Sequence, residues 1–180
     1  MTKPAYGQLL RHSPLESARF GLQVYRGHVA SADIAQLWDF IVPHKVDVAI
    51  FRTPAENIAA MQAYRGPREQ LIHADTLVYY DCAVDRLDIR EPGNRGVSYR
   101  SATPLDGPAL ERAVRATFAT YQNHYHANPA FSPTSILAGY EEWAVNHLQH
   151  GSTTPSWVAT DGDVIVGFIC CRLDEQDHTA

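Results

Sequence analysis

A chain of 180 residues with 45% hydrophobic and 19% charged residues holds apolar material for one large domain or two small ones, which sets general disorder aside. Its formal net charge of −5 argues against a broad nucleic-acid surface, since such a surface needs clustered Lys and Arg to displace counterions. There is no run of about 18 apolar residues, so no membrane span is expected. Residues 1–11 lack the uninterrupted apolar stretch and cleavage site of a secretory leader. Cys82, Cys170 and Cys171, an odd count with one adjacent pair, do not make a disulfide framework, and a reducing, cytoplasmic setting is expected.

Along the first half, strand and helix patterns alternate. Residues 20–29 hold Val24 and Tyr25 in a mixed apolar run that predicts a strand. Ser31 offers a helix cap and Asp33 suits the positive end of the helix dipole. Ile34, Leu37, Trp38 and Ile41 then follow at helical spacing up to Pro43. The β-branched run 46–51 predicts a buried strand. Thr53, Pro54 and Glu56 read as a capping box with proline at the first helical position. The helix they open runs through Ile58, Ala60 and Met61 and stops at Gly66. Residues 76–84 predict a third strand. The resulting β-α-β-α-β order favours parallel strands and defines an α/β module over residues 1–88.

The charged stretch 85–95, with Pro92, Gly93 and Asn94, reads as a linker. A second unit over residues 96–180 begins with a strand at 96–101. Asp106 precedes a helix marked by Leu110, Val114, Phe118 and Tyr121. Residues 121–132 show no period and read as a loop. Thr134 is placed to cap a helix whose apolar stripe is Ile136, Leu137, Tyr140, Trp143, Ala144, His147 and Leu148, with Gly151 past its end. Residues 157–160 and 164–173 flank Asp161-Gly162, a tight-turn pair that predicts a β-hairpin.

This second-half order, with Tyr140-Glu141-Glu142-Trp143 and the hairpin ending Val164-Ile165-Val166-Gly167-Phe168-Ile169, resembles the opening of the GNAT N-acetyltransferase fold. The loop His124-Tyr125-His126-Ala127-Asn128-Pro129 is similar to the His-Ala-Asp-Pro loop of the dTDP-fucosamine acetyltransferase subgroup. Residues 18–22 and 74–78 resemble segments of that subgroup too. The resemblance implies an α/β fold in which a βαβαβ module precedes the first part of an acetyltransferase sheet. It implies acetyl-CoA as cofactor and a primary amine as acceptor, such as a nucleotide-linked amino sugar. It also implies direct attack of the amine on the thioester, with no cysteine nucleophile.

One family feature is missing. The Arg/Gln-x-x-Gly-x-Gly/Ala loop, whose glycines and helix N-terminus grip the coenzyme pyrophosphate, does not occur in the 180 residues. The resemblance places that loop, and the general-acid Tyr, beyond Ala180. The expectation is therefore the N-terminal part of an N-acetyltransferase, inactive by itself and carrying the acceptor side. The alternative is a non-catalytic interaction module that pairs, as a homodimer or with a partner chain, through the open edge of the sheet at residues 164–173.

Site candidates follow from position and chemistry. The resemblance puts His124, Tyr125, His126 and Asn128 on the acceptor side, where an imidazole orients a hydroxyl or relays an amine proton near neutral pH. Ordinary surface-loop contacts are the other reading. Asp81 shares one strand face with Tyr79 and binds a sugar or base edge if it opens into a cleft, or else pairs with an Arg. Arg65, Arg68 and Arg100 suit a diphosphate or plain solvation. His147 and His150 have ligand spacing, but the adjacent Cys170 and Cys171 would point to opposite strand faces, which argues against a metal. Cys82 reads as a packed thiol, and Tyr140 and Trp143 as core.

Overall fold

The computed structural model describes residues 10–29, 34–63, 71–80, 83, 96–149 and 154–172. Among them, five α-helices accompany two three-stranded sheets in a mixed α/β chain. The chain divides into two compact units, Met1–Thr76 with Asn123–Ser135, and Leu77–Gln122 with Ile136–Ala180.

The first unit contains β1 (Leu10–His12), α1 (Pro14–Phe20), β2 (Val24–His28), α2 (Ile34–Ile41), β3 (Val48–Arg52) and α3 (Ile58–Ala63). Its sheet runs β1-β2-β3, with β1 antiparallel and β3 parallel to β2. Strand alternation sends Tyr25, Ala49 and Phe51 to one face. There they pack with buried Leu10, Val29, Leu37, Phe40 and Met61. Arg26 and Arg52 stand on the opposite face. Asp47 fixes the start of the parallel pair: its Oδ2 accepts from the Gln23 amide at 2.7 Å, and its own amide donates to the Gln23 carbonyl at 3.0 Å.

Three expectations change here. The strand expected over 20–29 begins only at Val24. Residues 14–20 are helical, opened by Pro14 and closed by Gly21, whose left-handed φ of 67° lets its amide return to the Ser17 carbonyl. The Thr53/Glu56 capping box does not form. A 3-10 turn, Ala55–Asn57, precedes α3 without a side-chain cap. The expected third strand is not one where it is described: residues 76–80 lie outside both sheets and are exposed, Tyr80 by 91%. The third strand of this sheet is β1 instead. The run Leu77-Val78-Tyr79-Tyr80 has strand composition, but composition reports fitness for a half-buried surface, and among the described residues no sheet edge receives it. Ser31, Asp33, Gly66, Gly151, residues 81–82 and the linker expected over 85–95 lie outside the described residues.

The second unit contains β4 (Ser98–Ser101), α4 (Gly107–Phe118), α5 (Pro133–His147) from Ile136 onward, β5 (Ser156–Asp161) and β6 (Val164–Cys170). Its sheet is antiparallel throughout, in the order β4-β5-β6. The expected hairpin is present, turning at Gly162 with φ 57°. A bulge at Ala159/Thr160 leaves Val166 as the extra residue on β6. Leu110 and Val114 of α4, and Ala144 and Leu148 beyond it, bury against Val158 and Ile165 of the hairpin. Arg115 of α4 grips Glu141 of α5 with two bonds, Nε–Oε1 at 2.7 Å and Nη2–Oε2 at 2.9 Å. The start of α4 is fixed by Asp106, whose Oδ2 accepts from the Thr103 amide at 2.8 Å and from Arg100 at 2.8 Å, while its Oδ1 takes a second bond from Arg100 at 2.6 Å. Those bonds hold the Asp106 carboxyl well below the usual carboxylate range, the Arg100 bond first among them. Ser132, not Thr134, caps α5, its hydroxyl accepting from the Ser135 amide at 3.1 Å. Trp143, expected in the core, is 46% exposed, because Glu141 and Ala144 take the buried positions of α5.

Candidate functional site

The segment Asn123–Ser135 of the first unit carries the loop singled out in the sequence. Residues His124–Ala127 form a 3-10 turn. Asn123 opens it, its Oδ1 accepting from the Tyr125 amide at 2.8 Å, and His126 Nδ1 accepts from the Asn123 amide at 3.2 Å. Asn128 accepts from the Ala130 amide at 3.0 Å. His126 and Asn128 thus engage the backbone of their own loop. His124 and Tyr125 reach other elements.

Three aromatic rings seat the turn. Phe20, the last residue of α1, stands 4.3 Å from buried Phe131 and 5.7 Å from Tyr125, and Tyr125 meets Phe131 edge-on at 5.4 Å. This packing aims the Tyr125 hydroxyl at Glu16 of α1. Tyr125 donates to Glu16 Oε1. Arg26 of β2 donates to the same oxygen at 3.2 Å and lies 3.5 Å from the Tyr125 hydroxyl. Glu16 is only 3% exposed, and its second oxygen, Oε2, has no hydrogen-bond partner among the described residues. A buried acceptor left so costs about 1–3 kcal/mol.

His124 lies against Tyr125, ring centroids 4.1 Å apart, with its Nδ1 3.5 Å from Asp75 Oδ2. Its Nε2 is buried and likewise without a hydrogen-bond partner among the described residues. Burial lowers the His124 pKa, the Asp75 charge opposes that shift, and Arg26 and Arg52 reinforce it. The net direction favours the neutral imidazole. Burial, then the Glu16 hydrogen bond and charge, push the Tyr125 phenol far above its ordinary value, so it remains a donor. The constellation is therefore a buried glutamate held by Tyr125 and Arg26, with His124 packed against the same tyrosine.

The sequence singled out His124 and Tyr125 but not Glu16. A glutamate in the first turn of a helix is what the dipole favours on any exposed helix, so nothing local marked it as buried. Asp81, Cys82, Arg65, Arg68 and His150 lie outside the described residues. Arg100 is bound to Asp106, and His147 Nδ1 lies 2.8 Å from the Trp143 carbonyl. Cys170 and Cys171 are free thiols, and burial pushes that of Cys170 up. Among the described residues no three His, Cys, Asp or Glu side chains could hold a metal ion, and no helix is long and apolar enough to cross a membrane.

The second unit has a separate, largely apolar cavity of about 550 Å³ between α4, Trp143 and β6, lined by Thr117, Phe118, Ile165, Phe168 and Cys170. It holds no carboxylate and no imidazole. No family model, curated protein or solved structure matches the chain.

Proposed function

We propose that this chain carries the acceptor side of an acetyl-CoA-dependent N-acetyltransfer to a primary amine, such as the amino group of a nucleotide-linked sugar. The observation that carries the reading is the second unit's sheet: three antiparallel strands in the order β4-β5-β6, with α4 and α5 between β4 and β5 in the chain. That order is the one the resembled acetyltransferase core requires at its start. The loop that the resemblance assigns to the acceptor supports the reading as well, since it brings His124 and Tyr125 to a buried carboxylate. The 180 residues hold no Gly-x-Gly phosphate loop, so the proposal gives them the acceptor and not the coenzyme.

Thermal-shift measurements test this. Nucleotide-linked amino sugars at millimolar concentration should raise the midpoint, while their N-acetylated forms and acetyl-CoA should not. Stabilisation by acetyl-CoA, or none by any amine, would overturn the proposal.

A second reading is favoured by one observation. Among the described residues β6 pairs only with β5, and it exposes Val164, Val166 and Ile169. Such an edge suits pairing with a second copy of the chain. Light scattering should then give a dimer that Val166→Lys, a charge placed on the edge strand, converts to a monomer. A wild-type monomer at all concentrations would remove this reading.

A further inference from the structure

Strand register gathers basic side chains on one side of the first unit's sheet. Arg11 of β1 lies directly opposite Arg26 of β2, and Arg52 of β3 lies directly opposite His28 of β2. Arg26 and His28 are two residues apart on one strand, so alternation sends all four side chains to the same face. All four residues are exposed. This face adjoins the His124–Ala127 turn: Arg26 lies 3.5 Å from the Tyr125 hydroxyl, and the charges of Arg26 and Arg52 both act on His124. Two like charges directly opposite on neighbouring strands repel, and Arg11 with Arg26 is such a pair. Glu16 takes one bond from Arg26, and Asp75 lies near His124 Nδ1. Arg11 and His28 have no ion-pair partner among the described residues. We infer that this face is an anion site whose ligand is a diphosphate, held by Arg11, Arg26 and Arg52 with His28 beside them. That the diphosphate belongs to a nucleotide-linked acceptor rests on the reading above; the site itself rests on the sheet.

The chemistry narrows the ligand class. Guanidinium forks match phosphate oxygens with paired N–H bonds and keep their charge at any working pH. Arg26 spends one N–H on Glu16 and keeps others of its five to offer. Arg11 and Arg52 stand on the two outer strands, about 10 Å apart across the sheet. Two linked phosphoryl groups reach toward both, where a single phosphate serves one side. A nucleic-acid strand needs a longer basic track than one three-stranded sheet, and the chain's net charge is −5. Arg100, a diphosphate candidate from the sequence, is taken up by Asp106, and the strand register supplies these other arginines instead.

The test titrates the 180-residue chain by NMR with inorganic pyrophosphate, thymidine diphosphate and malonate, a dianion without phosphate, at millimolar concentration and fixed ionic strength. Pyrophosphate should move the amide signals of Leu10–His12, Val24–His28 and Val48–Arg52 saturably and leave those of Ser156–Asp161 in place. Arg11→Gln and Arg52→Gln should each weaken its binding about three- to tenfold, the loss of one exposed charge-assisted contact. Arg112→Gln, which removes an exposed arginine of the other unit, should leave it unchanged. The three probes are compared on the wild-type chain, so that comparison stands even if a variant fails to fold. Tighter binding of thymidine diphosphate than of pyrophosphate supports a nucleotide-linked ligand, and equal binding upholds the site with free diphosphate as its ligand. No saturable shift, malonate binding as tightly as pyrophosphate, or binding untouched by both substitutions would overturn the inference. Pyrophosphate binding here without stabilisation by nucleotide-linked amino sugars would uphold the anion site and remove the acetyl-acceptor reading.

Discussion

Tyr125 donates its phenolic hydrogen to Glu16, 109 positions earlier in the chain, and both belong to the same compact unit. The bond ties the 3-10 turn to α1, and it fixes which oxygen of Glu16 is occupied. Removing the hydroxyl in Tyr125→Phe leaves Oε1 to Arg26 alone and should cost about 1–3 kcal/mol in urea unfolding. In a double-mutant cycle with Glu16→Gln, a coupling of at least about 0.5 kcal/mol is expected. Strict additivity would mean that the contact contributes nothing.

Acid should loosen the site through His124. Its folded pKa lies below the ordinary value of 6.5, so the unfolded chain takes up the proton first. The contribution of the neutral ring is therefore full above pH 6.5 and is lost as the pH falls through and below that value. Midpoints measured between pH 8 and about 5 should drop more steeply for the wild type than for His124→Gln. Parallel profiles would assign the acid sensitivity to other groups.

Phe131 joins Phe20 and Tyr125 in the packing that aims the turn, and it is only 4% exposed. Phe131→Ala should cost about 3–5 kcal/mol. The same substitution should accelerate amide exchange over residues 123–131 more than over the β5–β6 hairpin.

Two glycines separate backbone from packing. Gly21 holds φ 67° in open space, so Gly21→Ala meets no clash but strains the backbone, with an expected cost of about 1–2 kcal/mol. At Gly167 an added Cβ would meet the Ala159 Cβ at 3.5 Å, an ordinary contact inside a strand. Gly167→Ala should therefore be neutral or stabilising by up to about 1 kcal/mol. Thermal unfolding of the two variants checks the contrast.

What the sequence revealed follows the range of the forces involved. The Asp161-Gly162 hairpin and the helix through Leu110, Val114 and Phe118 were legible because a turn pair and a 3.6-residue period are local signals. Residues 76–80 misled because β-propensity counts side chains and not available edges. Trp143 misled because the apolar stripe of α5 is wide, and the salt bridge of Glu141 to Arg115 takes part of the buried face. Glu16 was invisible. Its burial depends on Arg26, Tyr125 and the aromatic seat of Phe20 and Phe131, partners that only the folded chain assembles.

Hydrogen exchange with bound ligand tests the central claim most directly. On saturation with a nucleotide-linked amino sugar, protection should rise in Pro14–Phe20, Val24–His28 and residues 123–131, and acetyl-CoA should leave the pattern unchanged. Protection confined to Gly107–Phe118 and Val164–Cys170, or produced by acetyl-CoA and not by the amine, would contradict it.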